Sequence, residues 1–379
     1  MYLGEQFKFK ESECYRPTRM EINTQFVREN FRDIKKLVNG KEVIAVVKGN
    51  AYSHGLIPIS KILYEEGCKW FGVAIIEEAL ALKEAGIDRN IFIMGAALSS
   101  AAETIVKNNF ICACGSFEFA SALAEASKKL SKPARVHIKI DSGMGRLGFL
   151  ADDAADAARK LSMMELSIEG AFSHFATSEE NNLDYTRWQF NRFMESVDSI
   201  RSERIKIPFL HVCNSGATVS CPGMHLDGVR TGKLIYGIPL QCKPRPFPLR
   251  PIVEVKTAIA EIKTLPPRSG ISYGLKYITR GEQRIGILPI GTIDGFTQLN
   301  PNPVVLVHGT RVPVVGAICM DEVMIDLTDT PEASIDDEVV ILGRQGNDEI
   351  TLTELAKKLN VNYSQTLALF PFRMPRFFK

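Results

Sequence analysis

Between residues 42 and 214 the chain alternates short apolar runs with segments of helical period, and this alternation constrains the fold more than any other feature. "EVIAVVK" (42–48) reads as a strand, and "LIPISKILYEEG" (56–67) as a helix. The pattern repeats in "WFGVA" (70–74) with "EEALALKEAG" (77–86), and in "IFIM" (91–94) with a helical stretch to about Lys107. It continues in "ICACG" (111–115) with "SFEFASALAEASKKL" (116–130), and in "ARVHIKI" (134–140) with "DDAADAARKLSMM" (152–164). "LSIEGAFSH" (166–174), "DYTRWQFNRFMESVDSIR" (184–201) and "FLHVCN" (209–214) complete the series. Strands joined through helices run parallel, because each crossover returns the chain to the same end of the sheet. About eight such units predict a closed (β/α)8 barrel. An open doubly wound sheet is the alternative, but no G-x-G-x-x-G follows the first strand to support it.

The texture changes at "KPRPFPLRPI" (243–252), where prolines 244, 246, 248 and 251 mark a linker. Beyond it the apolar runs are short and turn-rich: "EVKTAIAEIKTL", "RIGILPIG", "VVLVHG", "RVPVVGAI", "EVMIDL" and "EVVILG". One helix, "LTELAKKLN" (352–360), interrupts them. The expectation is an α/β chain: a (β/α)8 barrel over 1–247, followed by a mostly antiparallel β C-terminal domain over 248–379.

Basic and acidic residues number 46 and 44, a net charge of +2, with no run of one sign. That balance argues against nucleic acid or an anionic membrane as a partner. Cysteines at 14, 68, 112, 114, 213, 221, 242 and 319 form no C-x-x-C pair. They read as free buried thiols in a reducing compartment, with no metal site. The opening "MYLGEQFKFKESEC" lacks the apolar core of a signal peptide, and no apolar run is long enough to span a bilayer, so the cytoplasm is the default location.

Functional groups of a parallel barrel sit at the C-terminal ends of its strands. There the sequence places Lys48, Lys139 and Asp141, His174, Asn214 and Ser215, with Arg230 in "GVRTGKLIYG" (228–237). A lysine at an apolar mouth has its pKa lowered by desolvation, and the free amine can form a Schiff base. The carbonyl partner could be a substrate or pyridoxal phosphate. "NSGA" (214–217) and "RTGK" (230–233) are turns whose backbone N–H groups can hold a phosphate.

"AVVKGNAYSHG" (45–55) resembles the pyridoxal-phosphate lysine signature of alanine racemases, V-K-A-N-A-Y-G-H-G, departing from it at Gly49 and Ser53. "KIDSGMGRLGF" (139–149), "FSHFAT" (172–177), "CNSGAT" (213–218), "ISYG" (271–274), "ICMD" (318–321), "VNY" (361–363) and "FRMPRF" (372–377) are similar to further blocks of that family, in the family's order. The resemblance implies the barrel and β domain already read from the pattern. It also implies pyridoxal 5'-phosphate carried by Lys48. Tyr52, Tyr363 and Ser215 would bind its phosphate, with Asn214 and the backbone of Gly232 and Lys233. Most family members have an apolar residue where Lys233 stands. His174 would pack near the pyridine ring, and Arg230 would face the ring nitrogen. An arginine stays protonated, so that nitrogen must accept a hydrogen bond and remain neutral. A neutral ring withdraws electrons less strongly and favours prompt reprotonation at Cα over transamination.

Racemisation needs two bases on opposite faces of Cα. The resemblance assigns them to Lys48 and Tyr273. A phenol ordinarily titrates at about 10 and needs positive charge nearby to act as a base near neutrality. Tyr273, with Met320 and Asp321 at the substrate, would reach into the partner subunit's site, implying a homodimer with shared sites. Arg146 would meet the substrate carboxylate. Lys139 matches a lysine often carbamylated in the family, where the carbamate would hold Arg146. The alternative is an ordinary lysine bonded to Asp141.

The implied activity is interconversion of L- and D-alanine by a two-base mechanism. Alternatives are a racemase of serine or lysine, a related decarboxylase of basic amino acids, and a noncatalytic pyridoxal-phosphate carrier. The decarboxylases carry other phosphate and cysteine motifs, which are not found here, and the domain bearing Tyr273 argues against a carrier. In "PIGTIDG" (289–295), Thr292 stands where alanine racemases generally place a tyrosine that narrows the entry. Phe296 is the aromatic that could fill that gap.

Overall fold

The computed structural model describes residues 14–242, 246–296, 303–371 and 373–379. Most of the "MYLGEQFKFKESEC" stretch, linker residues 243–245 and Phe372 of "FRMPRF" lie outside the described residues. The chain forms two compact units. One comprises Phe26–Ala51 and Gly55–Arg250, the other the described residues up to Gln25, Tyr52–His54 and Pro251–Lys379.

Strand β1 (Arg19–Ile22) belongs to the second unit, and α1 (Thr24–Leu37) leads into the first. The first unit's strands are β2 (Glu42–Val46), β3 (Trp70–Val73), β4 (Asn90–Ile93), β5 (Ile111–Cys114), β6 (Arg135–Asp141), β7 (Ser167–Phe172), β8 (Leu210–His211) and β9 (Gly228–Thr231). The crossovers carry α2 (Leu56–Glu65), α3 (Ile76–Glu84), α4 (Ala102–Lys107), α5 (Phe117–Leu130), α6 (Ala154–Met163), α7 (Asp184–Ser202) and α8 (Ser215–Ser220). The strand order is β9–β2–β3–β4–β5–β6–β7–β8, and every neighbouring pair is parallel. The last seam closes through Asp227 N–H to Leu210 O (3.1 Å) and Arg230 N–H to Cys213 O (2.9 Å). The sheet is therefore the expected barrel and not an open doubly wound sheet.

Apolar strands make this barrel because both faces are covered. Inside, Ile44, Phe92, Ile111, Ala113 and Phe172 pack with Trp70, Met94 and Phe209. Outside, the helices lay buried stripes on the strands. In α5, Ser116 caps the first turn by accepting the Phe119 N–H, and Phe119, Ala120, Leu123, Ala124 and Ala126 face inward. Burying Leu123 alone stabilises by about 2 kcal/mol, and an aspartate there would break the contact. Two polar rings, His137 and His211, are also fully buried in the barrel interior.

The second unit adds β10 (Val253–Ala258), β11 (Glu261–Leu265), β12 (Gln283–Leu288), β13 (Val304–Val307), β14 (Thr310–Val315), β15 (Val323–Asp326), β16 (Glu338–Gln345), β17 (Asp348–Ile350) and β18 (Arg376–Phe378). Their order is β11–β12–β15–β14–β13–β16–β10–β1–β18, with β17 on β16. All pairs are antiparallel except β1–β18. Helices α9 (Leu352–Leu359) and α10 (Tyr363–Ala368) precede the final strand. This division departs from the expected 1–247 segment at the N-terminus. Met20 pairs with Val255 and with Arg376, so β1 completes a sheet whose other strands lie far downstream.

Among the described residues no helix is long and apolar enough to cross a membrane. Cys68, Cys112, Cys114, Cys213, Cys221 and Cys242 are buried and form no disulfide; burial pushes the Cys68, Cys114 and Cys213 thiols up to about 12.

Candidate active site

Lys48 leaves the C-terminal end of β2 and enters an unusual turn. Gly49, Asn50, Ala51, Tyr52 and Ser53 all have positive φ, between 53° and 71°. A left-handed turn costs roughly 1–2 kcal/mol per non-glycine residue, so neighbours must hold it. Glu78 does so from the first turn of α3. Its Oε1 accepts the Gly49 N–H (2.6 Å) and the Asn50 N–H (3.3 Å), and its Oε2 accepts the Ala74 N–H (2.9 Å). Asn50 Oδ1 in turn accepts the Leu56 N–H at 2.7 Å. The departures at Gly49 and Ser53 both fall in this turn, with glycine at its first position, where a Cβ would meet open space but a disfavoured φ. Burial lowers the Lys48 pKa, Arg146 and Arg230 lower it further, and Glu78 acts against them.

Arg230, on β9, is fully enclosed. Nη1 donates to His211 Nδ1 (2.7 Å) and His211 O (3.0 Å). Nη2 donates to Ser173 O (2.7 Å), Val212 O (2.8 Å) and His174 Nδ1 (3.2 Å). These five bonds leave Nε as the donor they do not use. An arginine only donates, so both Nδ1 atoms accept and both rings carry their proton on Nε2. His211 Nε2 then donates to His137 Nδ1 at 2.9 Å. The chain ends at His137 Nε2, which is buried without a hydrogen-bond partner among the described residues. Burial first, and Arg230 next, hold His174 and His211 well below the ordinary histidine value. Burial, with Arg135 and Arg230, takes His137 to about 3. All three rings are neutral near pH 7. Burial lowers Arg230 to about 10, which leaves it protonated.

Lys139 and Asp141 lie on β6 two and four residues beyond His137, hence on one face of the strand. Lys139 is buried, with Nζ over the Phe172 ring (5.0 Å) and donating to Ile140 O (3.1 Å). Burial, with Arg230 and Arg146, brings its pKa down to about 7 against the pull of Asp141. Asp141 is engaged elsewhere. Its carboxylate accepts the N–H groups of Gly143, Met144, Gly145 and Arg146 at 2.8–3.1 Å. Burial alone would raise the Asp141 pKa; these four donors outweigh it and hold the group below its ordinary value. They also fix the loop that presents Arg146. The charges of Arg230, Arg146, Lys139 and Lys48 all bear on His174, which marks one electropositive site at the barrel mouth.

The two glycine turns meet beside it. Gly232 N–H donates to Ser215 Oγ at 3.1 Å. Asn214 caps α8 by accepting the Ala217 N–H (3.0 Å) and also accepts the Ser178 hydroxyl (2.7 Å). The Lys233 ammonium points at Glu179 Oε1, 2.6 Å away.

The remaining expected residues lie in the β unit. Tyr52 sits in the left-handed turn. Tyr363 opens α10 behind a capping box of Asn362 and Gln365. Tyr273 and Met320 are 75% and 60% exposed. Asp321 Oδ1 pairs with Arg373 Nη1 at 2.6 Å. The segments carrying Tyr273 and Met320 are joined, since the Ser272 hydroxyl donates to Ala317 O at 2.6 Å.

Four residues that shape the site were not singled out from sequence. His137 had a signal, its period-two alignment with Lys139 and Asp141. His211 had only its place at a strand end. Glu78 reads as an ordinary acidic first turn, and Glu179 as a loop carboxylate.

A closed parallel barrel with a partly desolvated lysine at its mouth, an enclosed arginine beside it and a separate β unit define an enzyme built around a lysine amine. The chain belongs to the alanine racemase family. Residues 22–239 match the model of the alanine racemase N-terminal domain and residues 252–378 that of the C-terminal domain. It is 39% identical to alanine racemase 2 of Caldanaerobacter subterraneus subsp. tengcongensis, over 96% of this chain and 95% of that protein. It is 36% identical to an alanine racemase of Methanococcus maripaludis, over 96% and 98%. Its structure is similar to that of alanine racemase from Clostridium difficile 630, with a TM-score of 0.92 and 34% identity over 97% of this chain and 96% of that one. It is also similar to the Bacillus anthracis alanine racemase with bound L-Ala-P, with a TM-score of 0.91 and 33% identity over 96% and 95%.

Proposed function

We propose that this chain is a pyridoxal-phosphate-dependent alanine racemase that works by two opposed bases. The observation that carries the reading is Lys48, held by Glu78 at the barrel mouth with its pKa lowered, in a chain that matches both family domains. The donor set suits the cofactor. Lys48 offers an amine for its aldehyde, Arg230 Nε a permanent donor for its ring nitrogen, and Ser215 and Gly232 a hydroxyl and an amide for its phosphate, with Asn214 and the Lys233 backbone beside them; the family resemblance adds the hydroxyls of Tyr52 and Tyr363 as phosphate donors. His174, neutral and with its tautomer set by Arg230, offers a flat face to the ring. Pyridoxal phosphate, when bound, supplies the electron withdrawal that makes the substrate Cα–H acidic.

The residues handle the rest. Lys48 Nζ takes or returns the Cα proton on one face, and the partner subunit's Tyr273 Oη does so on the other. Arg146 holds the substrate carboxylate, with Met320 and Asp321 of the partner subunit lining the substrate. A homodimer with shared sites is supported by the exposure of Tyr273, Leu275, Ile293 and Met320, an apolar set on one unit. Lys139 is a candidate for carbamylation: an amine brought to about 7 is nucleophilic toward carbon dioxide, and the anion formed would meet Arg230 and Arg146.

The test is chiral analysis of products from a panel of L-amino acids, with Lys48→Ala and Tyr273→Phe alongside. Both variants should lose more than about 100-fold in kcat. Borohydride should fix the cofactor to the native chain but not to Lys48→Ala. Mixed Lys48→Ala and Tyr273→Phe chains should regain activity, because one site of each mixed dimer is whole. No recovery after verified subunit exchange would contradict the shared site.

A further inference from the structure

Lys233 and Glu179 have no role in the reading above beyond the Lys233 backbone, yet their side chains form an ion pair against the turns proposed to hold the phosphate. Lys233 directly follows Gly232, whose N–H meets Ser215 Oγ at 3.1 Å. Glu179 lies on the other side. A Cβ on Gly216, the residue after Ser215, would fall 2.6 Å from Glu179 Cγ and 2.9 Å from Ser178 Oγ, so this side chain rests directly on the Gly216 backbone. The segment bearing Glu179 is itself tied down. The Ser178 hydroxyl donates to Asn214 Oδ1 at 2.7 Å, and the Ser220 hydroxyl to Ser178 O at 3.0 Å. The Lys233 Nζ to Glu179 Oε1 bond, 2.6 Å long, therefore joins the 231–233 turn to the 214–217 turn through a third segment.

Both side chains are about one quarter exposed, at 27% and 22%, so the pair is neither dry nor freely solvated. Its ammonium is directed at a carboxylate and its net charge is zero. Such a pair contributes by geometry more than by attraction for an anion.

We propose that Lys233 and Glu179 are positioning residues whose ion pair clamps the two turns and thereby selects for the phosphate of the cofactor. The proposal rests on the pyridoxal-phosphate reading. Gly216 is glycine because the clamp's carboxylate arm occupies the space of its side chain. Breaking the pair from either side loosens the spacing of Ser215 and Gly232, and so weakens ligands that carry a phosphate while sparing those that do not.

The experiment uses the full chain freed of cofactor and measures Kd for pyridoxal phosphate and for pyridoxal by absorbance and calorimetry. The readout is the ratio of the two constants, which a general loss of stability does not move. Lys233→Met and Glu179→Gln should each reduce the phosphate preference by roughly fivefold, in line with the strength of a part-exposed pair. The charge-swapped chain, Lys233→Glu with Glu179→Lys, should recover most of the preference, and Lys233→Arg should keep it within about twofold. A Glu179→Gln chain that prefers phosphate more strongly than the native chain would mean that Lys233 acts as a free charge, and would overturn the clamp. Unchanged ratios in both single variants would overturn it as well. Should a single variant fail to fold, the swapped chain and Lys233→Arg carry the test, since each retains the pair; a folded swapped chain that lacks the preference overturns the proposal. Failure of the native chain to take up pyridoxal phosphate would remove the cofactor reading and the clamp together, whereas uptake with unchanged ratios removes the clamp alone.

Discussion

Glu78 Oε1 accepts the backbone N–H of Gly49 at 2.6 Å, across 29 residues of sequence. The bond pins the first residue after Lys48, where the chain leaves β2 for a left-handed turn. With the Asn50 and Ala74 N–H groups, one carboxylate serves three backbone donors. Glu78→Leu strands all three and should cost about 2–4 kcal/mol of stability, read from urea unfolding. It should also lower kcat/KM at least about tenfold through misplacement of the Lys48 amine. Glu78→Gln keeps a carbonyl acceptor and should fall between. A Glu78→Leu chain as stable and active as the native one would show that the turn holds itself.

The neutral histidine chain gives a pH dependence. Folding holds the His137 value at about 3, below the ordinary value near 6.5. The folded state therefore binds fewer protons than the unfolded one in that window. The stability contribution is full above about 6.5 and is lost as pH falls toward 3, at up to about 1.4 kcal/mol per pH unit for each such ring. His174 and His211 shift in the same direction. His137→Phe removes one titrating ring and the acceptor of the His211 Nε2–H. It should be less stable at pH 7 by about 1–3 kcal/mol and should lose less on acidification to pH 5. Parallel pH profiles for the two chains in denaturant titrations would contradict this.

The barrel was legible because strands buried on both faces are apolar throughout and helices carry a different period. Lys48, His174, Asn214 and Arg230 were legible because strand ends are where such a fold displays polar groups. The left-handed turn was not, since Ala51 and Tyr52 carry no preference for positive φ and the residue that stabilises them is on another helix. Nor was the home of β1: Met20 and Ile22 would suit either unit, and only pairing with Val253–Ala258 and Arg376–Phe378 decides it. Both misses are long-range effects that leave no local pattern. His137 stands between these cases, because its face was readable from Lys139 but its partner His211 was not.

Lys139 offers a direct chemical test. It does not bond Asp141, whose carboxylate is committed to the 143–146 loop, and its pKa of about 7 leaves much of the amine neutral at pH 8. The uncharged amine is the form that adds carbon dioxide, so carbamate should accumulate as pH rises through 7. Enzyme equilibrated with 13C-bicarbonate at pH 8 should show one carbamate carbon resonance that is absent from Lys139→Met. A spectrum without it would leave a neutral lysine as the species facing Arg230 and Arg146.

Thr292 offers a test of the substrate range. It is exposed in a short turn whose N–H groups at Thr292 and Ile293 donate to Cys319 O (3.0 Å) and Met320 O (3.1 Å), so it lies against the segment carrying Met320 and Asp321. The turn is rigidly placed: Asp294 is fully buried, with Arg16 Nη1 and Nη2 each 2.9 Å from one of its oxygens and the Gly291 N–H at 3.1 Å. Phe296, the aromatic that could have replaced the missing tyrosine, is buried and lines an apolar cavity with Val304, Ile341, Leu355 and Phe370. Its side chain is committed to the interior of the β unit, whereas Thr292 is exposed. The entry should therefore admit side chains longer than methyl. Discrimination over one small group is about 1–3 kcal/mol, so kcat/KM for serine should come within roughly tenfold of that for alanine. Thr292→Tyr should widen the gap in favour of alanine by a similar factor. The comparison needs kcat/KM for alanine, serine and lysine in both chains. A native enzyme as strict for alanine as Thr292→Tyr would show that selection lies deeper in the site, at groups that touch the substrate itself.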